Sequence, residues 1–220
     1  MKRLYSFIML SIILTTVGFA QTLPYLKEPT FQAGEVLKYK LKYGFISAAT
    51  GTLSVQKSKY SFGVKDPIHL NAFGQTSGAF SKFYTVKNQY DSYIDQSNFL
   101  PILYTENIRE NNYRRVEYAT FDHKIKQVKG KKGTFTSPSS QTFDLVSAYY
   151  FSRNLDFSSL KSGDKFKITY FLNDEVAQLG VEYIGVEKVK SVLGELECIK
   201  LSPEISPGRI FKKNSRLYLW

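Results

Sequence analysis

The segment GEVLKYKLKYGFISAATGTLSV, residues 34–55, alternates large apolar and polar side chains with little slippage. Leu37, Tyr39, Leu41, Tyr43 and Phe45 fall at one parity, Lys38, Lys40 and Lys42 at the other. Successive strand side chains point to opposite faces, so the pattern predicts a half-buried strand over residues 36–45 with a wet lysine face. Gly51, Leu53 and Val55 carry the inward set into a second strand over residues 50–55. The small residues between them, with Gly44 and Gly51, suit a tight bend or bulge. Alternation returns in YDSYIDQSNFLP, where Tyr90, Ser92 and Ile94 oppose Asp91, Tyr93 and Asp95. Further antiparallel strands are predicted around a turn at Glu110, Asn111 and Asn112. In DKFKITYFL, Phe166, Ile168, Tyr170 and Leu172 oppose Lys165, Lys167, Thr169 and Phe171. NDE then supplies a turn, and Gly194–Glu195 connects two more strands.

Two stretches change period. Phe80, Phe83, Tyr84 and Lys87 have helical spacing, predicting a short helix or broken turn over residues 79–87. In TFDLVSAYYFSRNL, Leu145, Ala148, Tyr149 and Ser152 share a helical face that Phe143 and Phe151 broaden, with Asp144 placed to assist the N-terminal end. VKGKKGTFTSPSSQ, rich in Gly, Ser, Thr and Pro, reads as an exposed loop. The fold class that follows is mainly β with short helices: a curved antiparallel sheet or incomplete β-barrel wrapping one or two helices. Leu37, Tyr39, Leu41 and Tyr43 are expected on its concave, helix-covered side. The closing LYLW reads as a strand, so further strands are expected beyond Trp220.

Residues 1–20 belong to a different problem. Lys2 and Arg3 precede an apolar run that ends in Gly18-Phe19-Ala20, the pattern of a signal peptide cleaved before Gln21. No cysteine follows the run, so a lipid-modified N-terminus is not expected. Residues 21–220 are then read as one exported β-rich domain, periplasmic or secreted. The single cysteine, Cys198, excludes an intramolecular disulfide and a multi-cysteine zinc site, and reads as a passive thiol in a strand.

The chain carries 30 Lys and Arg against 19 Asp and Glu, and removing Lys2 and Arg3 from the net +11 leaves +9. Such a surplus favours peripheral contact with an anionic membrane or glycan. Nucleic acid is excluded as a partner, because Tyr39 and Tyr43 lie on the face opposite the lysines, where bases cannot use both. No metal-site spacing, phosphate loop or nucleophile elbow is present, and no cofactor or metal is expected. His69 and His123 are the only histidines. His69 meeting Asp91 or Asp95 would make a general base. Arg109, Arg114 and Arg115 flank a hairpin and read as solvent-facing charge.

The motifs YKLKYGFISAATGTLSV, DSYIDQSNFLP and PGRIFKKNSRLYLW resemble exported bacterial proteins of the domain-of-unknown-function family numbered 3108 (DUF3108). Tyr39, Tyr43, Gly44, Ala49 and Gly51 match its first hairpin. Asp91, Tyr93, Asp95, Leu100 and Pro101 match its middle pattern, and Pro207, Gly208 and Arg209 its late loop. The resemblance implies a scaffold but brings no reaction or ligand. More distantly, the fold is similar to periplasmic lipoprotein carriers, whose incomplete barrels enclose helices and an apolar cavity. The function expected is noncatalytic: an envelope protein binding a lipid-like or other apolar ligand, or a scaffold for another envelope protein. Tyr39, Tyr43, Phe80, Phe83 and Tyr149 are the candidate ligand-binding residues. The alternative is an envelope hydrolase using His69 with Asp91 or Asp95.

Overall fold

The computed structural model describes residues 22–191, 194–204 and 216–220. Residues 1–20, read as a signal peptide, and Pro207, Gly208 and Arg209, read as a late loop, lie outside the described residues.

Eight strands run as a continuous antiparallel meander: β1 (Val36–Tyr43), β2 (Ile46–Lys57), β3 (Ile68–Thr76), β4 (Lys87–Ile94), β5 (Pro101–Glu110), β6 (Tyr113–Asp122), β7 (Gln127–Gly130) and β8 (Gly133–Thr136). The sheet order is the chain order, so β1 and β8 are its two edges and the sheet is not closed into a barrel. β9 (Thr142–Phe143) leads into the one α-helix among the described residues, α1 (Leu145–Arg153). β10 (Lys165–Leu172), β11 (Glu175–Ser191) and β12 (Gly194–Pro203) form a second sheet in the order β12-β11-β10-β9, with only the β9–β10 pair parallel.

The period-two pattern sorts the large sheet into two faces. Val55, Ile68, Leu70, Ile94, Tyr104, Ala119 and Val128 are buried on the inner face, where α1 packs with Val146, Tyr150 and Phe151. Lys38, Lys40 and Lys42 are exposed on the outer face of the edge strand, which needs no ligand to explain it. Lysines on an edge also discourage pairing with other chains. From the second sheet, Phe171 reaches across to Phe121 and Phe135. It lies so close to Gly130 that a Cβ there would stand 2.7 Å from the ring.

Asp144 sets the start of α1. Its carboxylate accepts from Val146 N and Ser147 N at 2.8 and 3.0 Å, and Ser147 Oγ accepts from Asp144 N at 3.0 Å, completing a capping box. Ser92 Oγ on β4 donates to the same carboxylate at 2.6 Å and ties the helix to the sheet. Burial pushes the Asp144 pKa up, although Ser92, Ser147 and Val146 all donate to the charged form. At the other end Asn154 accepts from Thr30 N at 3.0 Å and donates to Leu26 O at 2.8 Å, strapping the N-terminal segment over the helix. That strap carries Phe31 and Tyr25 into the core against Tyr150, Phe99 and Phe151.

Several expectations need correction. The loop expected over VKGKKGTFTSPSSQ is mostly the β7–β8 hairpin turning at Lys131 and Lys132, followed by buried Ser137, Ser139 and Gln141. These hydroxyls and the amide pair with one another and with Leu23, so polar composition there marks an internal network and not solvent. The first strand stops at Tyr43, because Gly44, with φ of 60°, and Phe45 form the turn and β2 begins at Ile46. Of the short helix or broken turn expected over residues 79–87, the structure has a single 3-10 turn, Gly78–Lys82, and the extended chain resumes before Lys87. Helix α1 buries Val146, Ser147, Tyr150 and Phe151, while Leu145 and Tyr149 from the expected core face are exposed. A helix apolar nearly all round leaves its buried side to be chosen by the neighbouring strands. Tyr39 and Leu41 do face inward, but Tyr39 meets α1 at the hydroxyl of Tyr149, and both residues stay exposed.

Candidate functional site

The unburied side of α1 and one face of the second sheet enclose an open groove of about 380 Å³. Leu145, Ala148, Tyr149 and Ser152 form the helix wall. They recur at three- and four-residue spacing and so lie along one stripe. Ile168, Tyr170 and Leu172 form the facing strand, the parity that alternation in β10 selects. Leu179 and Val181 of β11, Leu201 and Pro203 of β12, and Leu219 complete the floor. Leu219 reaches it through a backbone bridge to Leu201, with both N–H···O bonds at 2.9 Å. Close by, Lys200 sits over the rings of Tyr218 and Trp220, and Trp220 Nε1 donates to Glu187 at 2.8 Å.

The groove presents almost no free polar group. Ser152 Oγ donates to Tyr149 O at 2.7 Å. Tyr149 Oη and Tyr39 Oη are 3.0 Å apart and supply a polar rim. Burial first, then this hydrogen bond, raises the pKa of Tyr149. Tyr150 is pushed up to about 12 by burial and by the Glu35 carboxylate. Glu35 is held by Arg153 in a fork of 2.6 and 2.8 Å, which fixes the end of α1 against the start of β1. Such a cleft takes up apolar surface and orients one polar end. A larger cleft, about 670 Å³, opens beside the β2–β3 loop at Lys57, Ser58, Tyr60 and Asp66. Its lining is mixed and largely loop, so it offers less apolar surface to a ligand.

The expected ligand-binding residues do not all meet. Tyr39 and Tyr149 touch. Phe80 and Phe83 lie in the β3–β4 connection, bound to β2 and away from the groove lining, and Phe83 is 84% exposed. The side chain of Tyr43 lies outside those described.

His69 and Asp91 come together on the outer face of the large sheet, with His69 Nε2 2.7 Å from Asp91 Oδ1. Asn71 Nδ2 donates to the same oxygen at 2.8 Å and Gln89 Nε2 to the other at 2.9 Å. Burial works to raise the Asp91 pKa, but the bonds from His69, Asn71 and Gln89 outweigh it and hold the carboxyl below its ordinary value. His69 lies flat on Tyr93, with centroids 4.5 Å apart. A carboxylate with three donors and an imidazole stacked on a ring make a rigid polar patch on a flat face. Asp95 takes no part, since it caps the β4–β5 turn through Ser97 N and Oγ at 2.8 and 2.7 Å. His123 faces two backbone carbonyls, Ser140 O at 2.9 Å and Pro101 O at 2.7 Å, and holds neighbouring turns.

One cluster escaped the sequence reading. Arg115 turns inward and not to solvent, and its Nη2 is 2.6 Å from Glu106 Oε1. Tyr104 Oη donates to Glu106 Oε2 at 2.9 Å, and Arg115 Nη1 donates to Asn173 at 2.8 Å. The alternation of Tyr104, Glu106 and Ile108 carried the signal, because a glutamate between two core positions must point inward.

Among the described residues no helix is long and apolar enough to cross a membrane, and no group of three or more acidic, histidine or cysteine side chains is placed to hold a metal ion. Neither a curated protein nor a solved structure matches the chain. A family model described as "Protein of unknown function (DUF3108)" matches residues 38–220, from the first lysine of β1 through the groove floor at Leu219, and the chain belongs to that family.

Proposed function

We propose that the protein acts noncatalytically outside the cytoplasm, holding the apolar part of a lipid-like molecule in the groove between α1 and the second sheet. The observation that carries this reading is the groove itself. About 380 Å³ is lined mainly by aliphatic and aromatic side chains, with a hydroxyl pair at Tyr39 and Tyr149 on its rim. Binding sites for small molecules are commonly concave, mainly apolar and sparing in polar groups. Each buried methylene contributes about 0.8 kcal/mol. About ten of them therefore reach the ~8 kcal/mol of a micromolar complex before ordering costs are subtracted. The leader pattern of residues 1–20 supports a place outside the cytoplasm.

The hydrolase alternative gains a real contact between His69 and Asp91, but neither residue lines the groove or the larger cleft described above, which favours binding over hydrolysis. The experiment is native mass spectrometry of the protein purified gently from its own envelope. A retained amphiphile that exchanges for added lipid is the expected result. Ligand-free protein that also takes up no added lipid would overturn the reading.

A further inference from the structure

In an antiparallel meander, alternate turns collect at the same end of the sheet. The β1–β2 turn, the β3–β4 connection, the β5–β6 turn and the β7–β8 turn therefore share one end. The first three are laced into one surface. Ser77 N donates to Ala48 O at 3.0 Å and Ser77 Oγ to Ser47 O at 3.3 Å, joining the β3–β4 connection to the start of β2. Thr85 N donates to Asn111 Oδ1 and Asn111 N to Thr85 O, both at 2.8 Å, joining the same connection to the β5–β6 turn.

This surface combines bare aromatic rings with a surplus of positive charge. Phe45, in the β1–β2 turn, is 95% exposed, and Phe83, just after the 3-10 turn, is 84% exposed. Neither ring packs on the body of the protein, so their exposure serves no fold purpose. Around them stand Lys42, Lys82 and Arg114, all exposed, while Lys131 and Lys132 on the β7–β8 turn are ion-paired with Glu117 and Asp174. Lys42 and Lys82 have no ion pair among the described residues. No acidic residue occurs over residues 36–65 or 67–90, the stretches that build both aromatic tips. Glu110, the acid of the β5–β6 turn, accepts from Asn88 at 2.7 Å and Tyr84 at 3.2 Å, and Lys42, Lys82 and Arg114 outnumber its charge. The opposite end differs, since Asp66, Asp95 and Asp122 sit in its three connections among the lysines.

We propose that this end of the sheet docks on an anionic lipid bilayer, with Phe45 and Phe83 entering the interface and Lys42, Lys82 and Arg114 meeting the head groups. Rings inserted at the head-group level lose water-exposed apolar area, and the cations gain from the negative surface potential. Two weak signals of this kind act together where neither alone holds a protein. The laced turns hold both rings out before contact, so little ordering is lost on docking. The groove plays no part in this proposal.

The test is co-sedimentation of the full chain with vesicles of phosphatidylglycerol and phosphatidylethanolamine, compared with neutral phosphatidylcholine vesicles. Wild type is expected to partition onto the anionic vesicles and to be released by high salt. Phe45→Ser with Phe83→Ser should cut partitioning by about tenfold or more, since each ring contributes apolar burial. Lys42→Glu with Lys82→Glu should cut it by a similar factor on anionic vesicles only. Because all variants carry residues 1–21, any contribution of that segment is common to them. Equal partitioning of the phenylalanine variant and wild type would overturn the proposal, as would equal binding to neutral vesicles or no binding at all. Ala148→Trp, which fills the groove, should leave partitioning unchanged, so the groove and this surface fail independently.

Discussion

Asp144→Ala removes the side chain on which the groove's helix wall depends. The carboxylate is fully buried and caps two backbone N–H groups of α1, and losing such a cap costs about 1–2 kcal/mol. Ser147 retains Asp144 O as an acceptor at 3.3 Å. Ser92 Oγ is buried on β4 and, among the described residues, hydrogen-bonds this carboxylate alone, and a stranded buried hydroxyl costs about 1–3 kcal/mol. The sum, reduced by the desolvation of a buried charge that the variant no longer bears, is about 2–4 kcal/mol. That is a large share of the ~5–15 kcal/mol typical of a domain. Urea unfolding followed by circular dichroism should show the midpoint falling by about 1 M or more with the slope unchanged. Asp144→Asn keeps an acceptor for the amides and lets Ser92 rotate, so it should cost half as much or less. The pH dependence carries a definite sign. Burial raises the folded pKa, so the folded state binds the proton more tightly than the unfolded chain. Stability from this group is therefore full below the unfolded value and is lost as pH rises through the raised one. Asp144→Asn lacks that component. An alanine variant that costs less than about 0.5 kcal/mol, or an asparagine variant as damaged as alanine, would refute the capping argument.

Gly130→Ala forces a Cβ against Phe171, which is buried and cannot swing away, and should destabilise by about 1–3 kcal/mol in the same unfolding assay. Glu106→Ala leaves Arg115 facing inward without its partner and should cost about 2–4 kcal/mol, whereas Glu106→Leu with Arg115→Leu should recover at least half of that. A double-mutant cycle of Tyr39→Phe and Tyr149→Phe should return a coupling of about 0.5 kcal/mol, the size of a half-exposed hydrogen bond.

The architecture was legible where one face of a strand is apolar and the other charged. Leu37 to Leu41, Tyr90 to Ile94 and Phe166 to Leu172 each kept the parity read from the sequence, because slipping by one residue would invert every side chain. The helical spacing of Leu145, Ala148, Tyr149 and Ser152 announced α1, with Asp144 at its start. Which side of α1 faces the core was not legible, since Leu145, Val146, Tyr149 and Tyr150 are all large and the choice belongs to strands distant in sequence. The groove was hidden for the same reason: its two walls come from residues 145–152 and 168–219. The contact of His69 with Asp91 was a stated alternative, and its partners Asn71 and Gln89 became visible only with the β3–β4 register, which sets Asn71 opposite Asp91. The β7–β8 hairpin was missed because Gly130 and Gly133 read as loop, although Val128 and Phe135 sit opposite one another as a strand pair should.

The claim that the groove is a binding site is tested most directly by titrating the protein with a long-chain fatty acid and following displacement of an environment-sensitive dye, in wild type and in Ala148→Trp. Ala148 lies on the helix wall, half-buried beside the core residues Ile168 and Val181 that also line the groove, and an indole there fills the space between α1 and β10. The account predicts saturable one-to-one binding to wild type and its loss, by tenfold or more, in a variant that unfolds with the same cooperativity. Absence of binding to wild type, or equal affinity in Ala148→Trp, would contradict it.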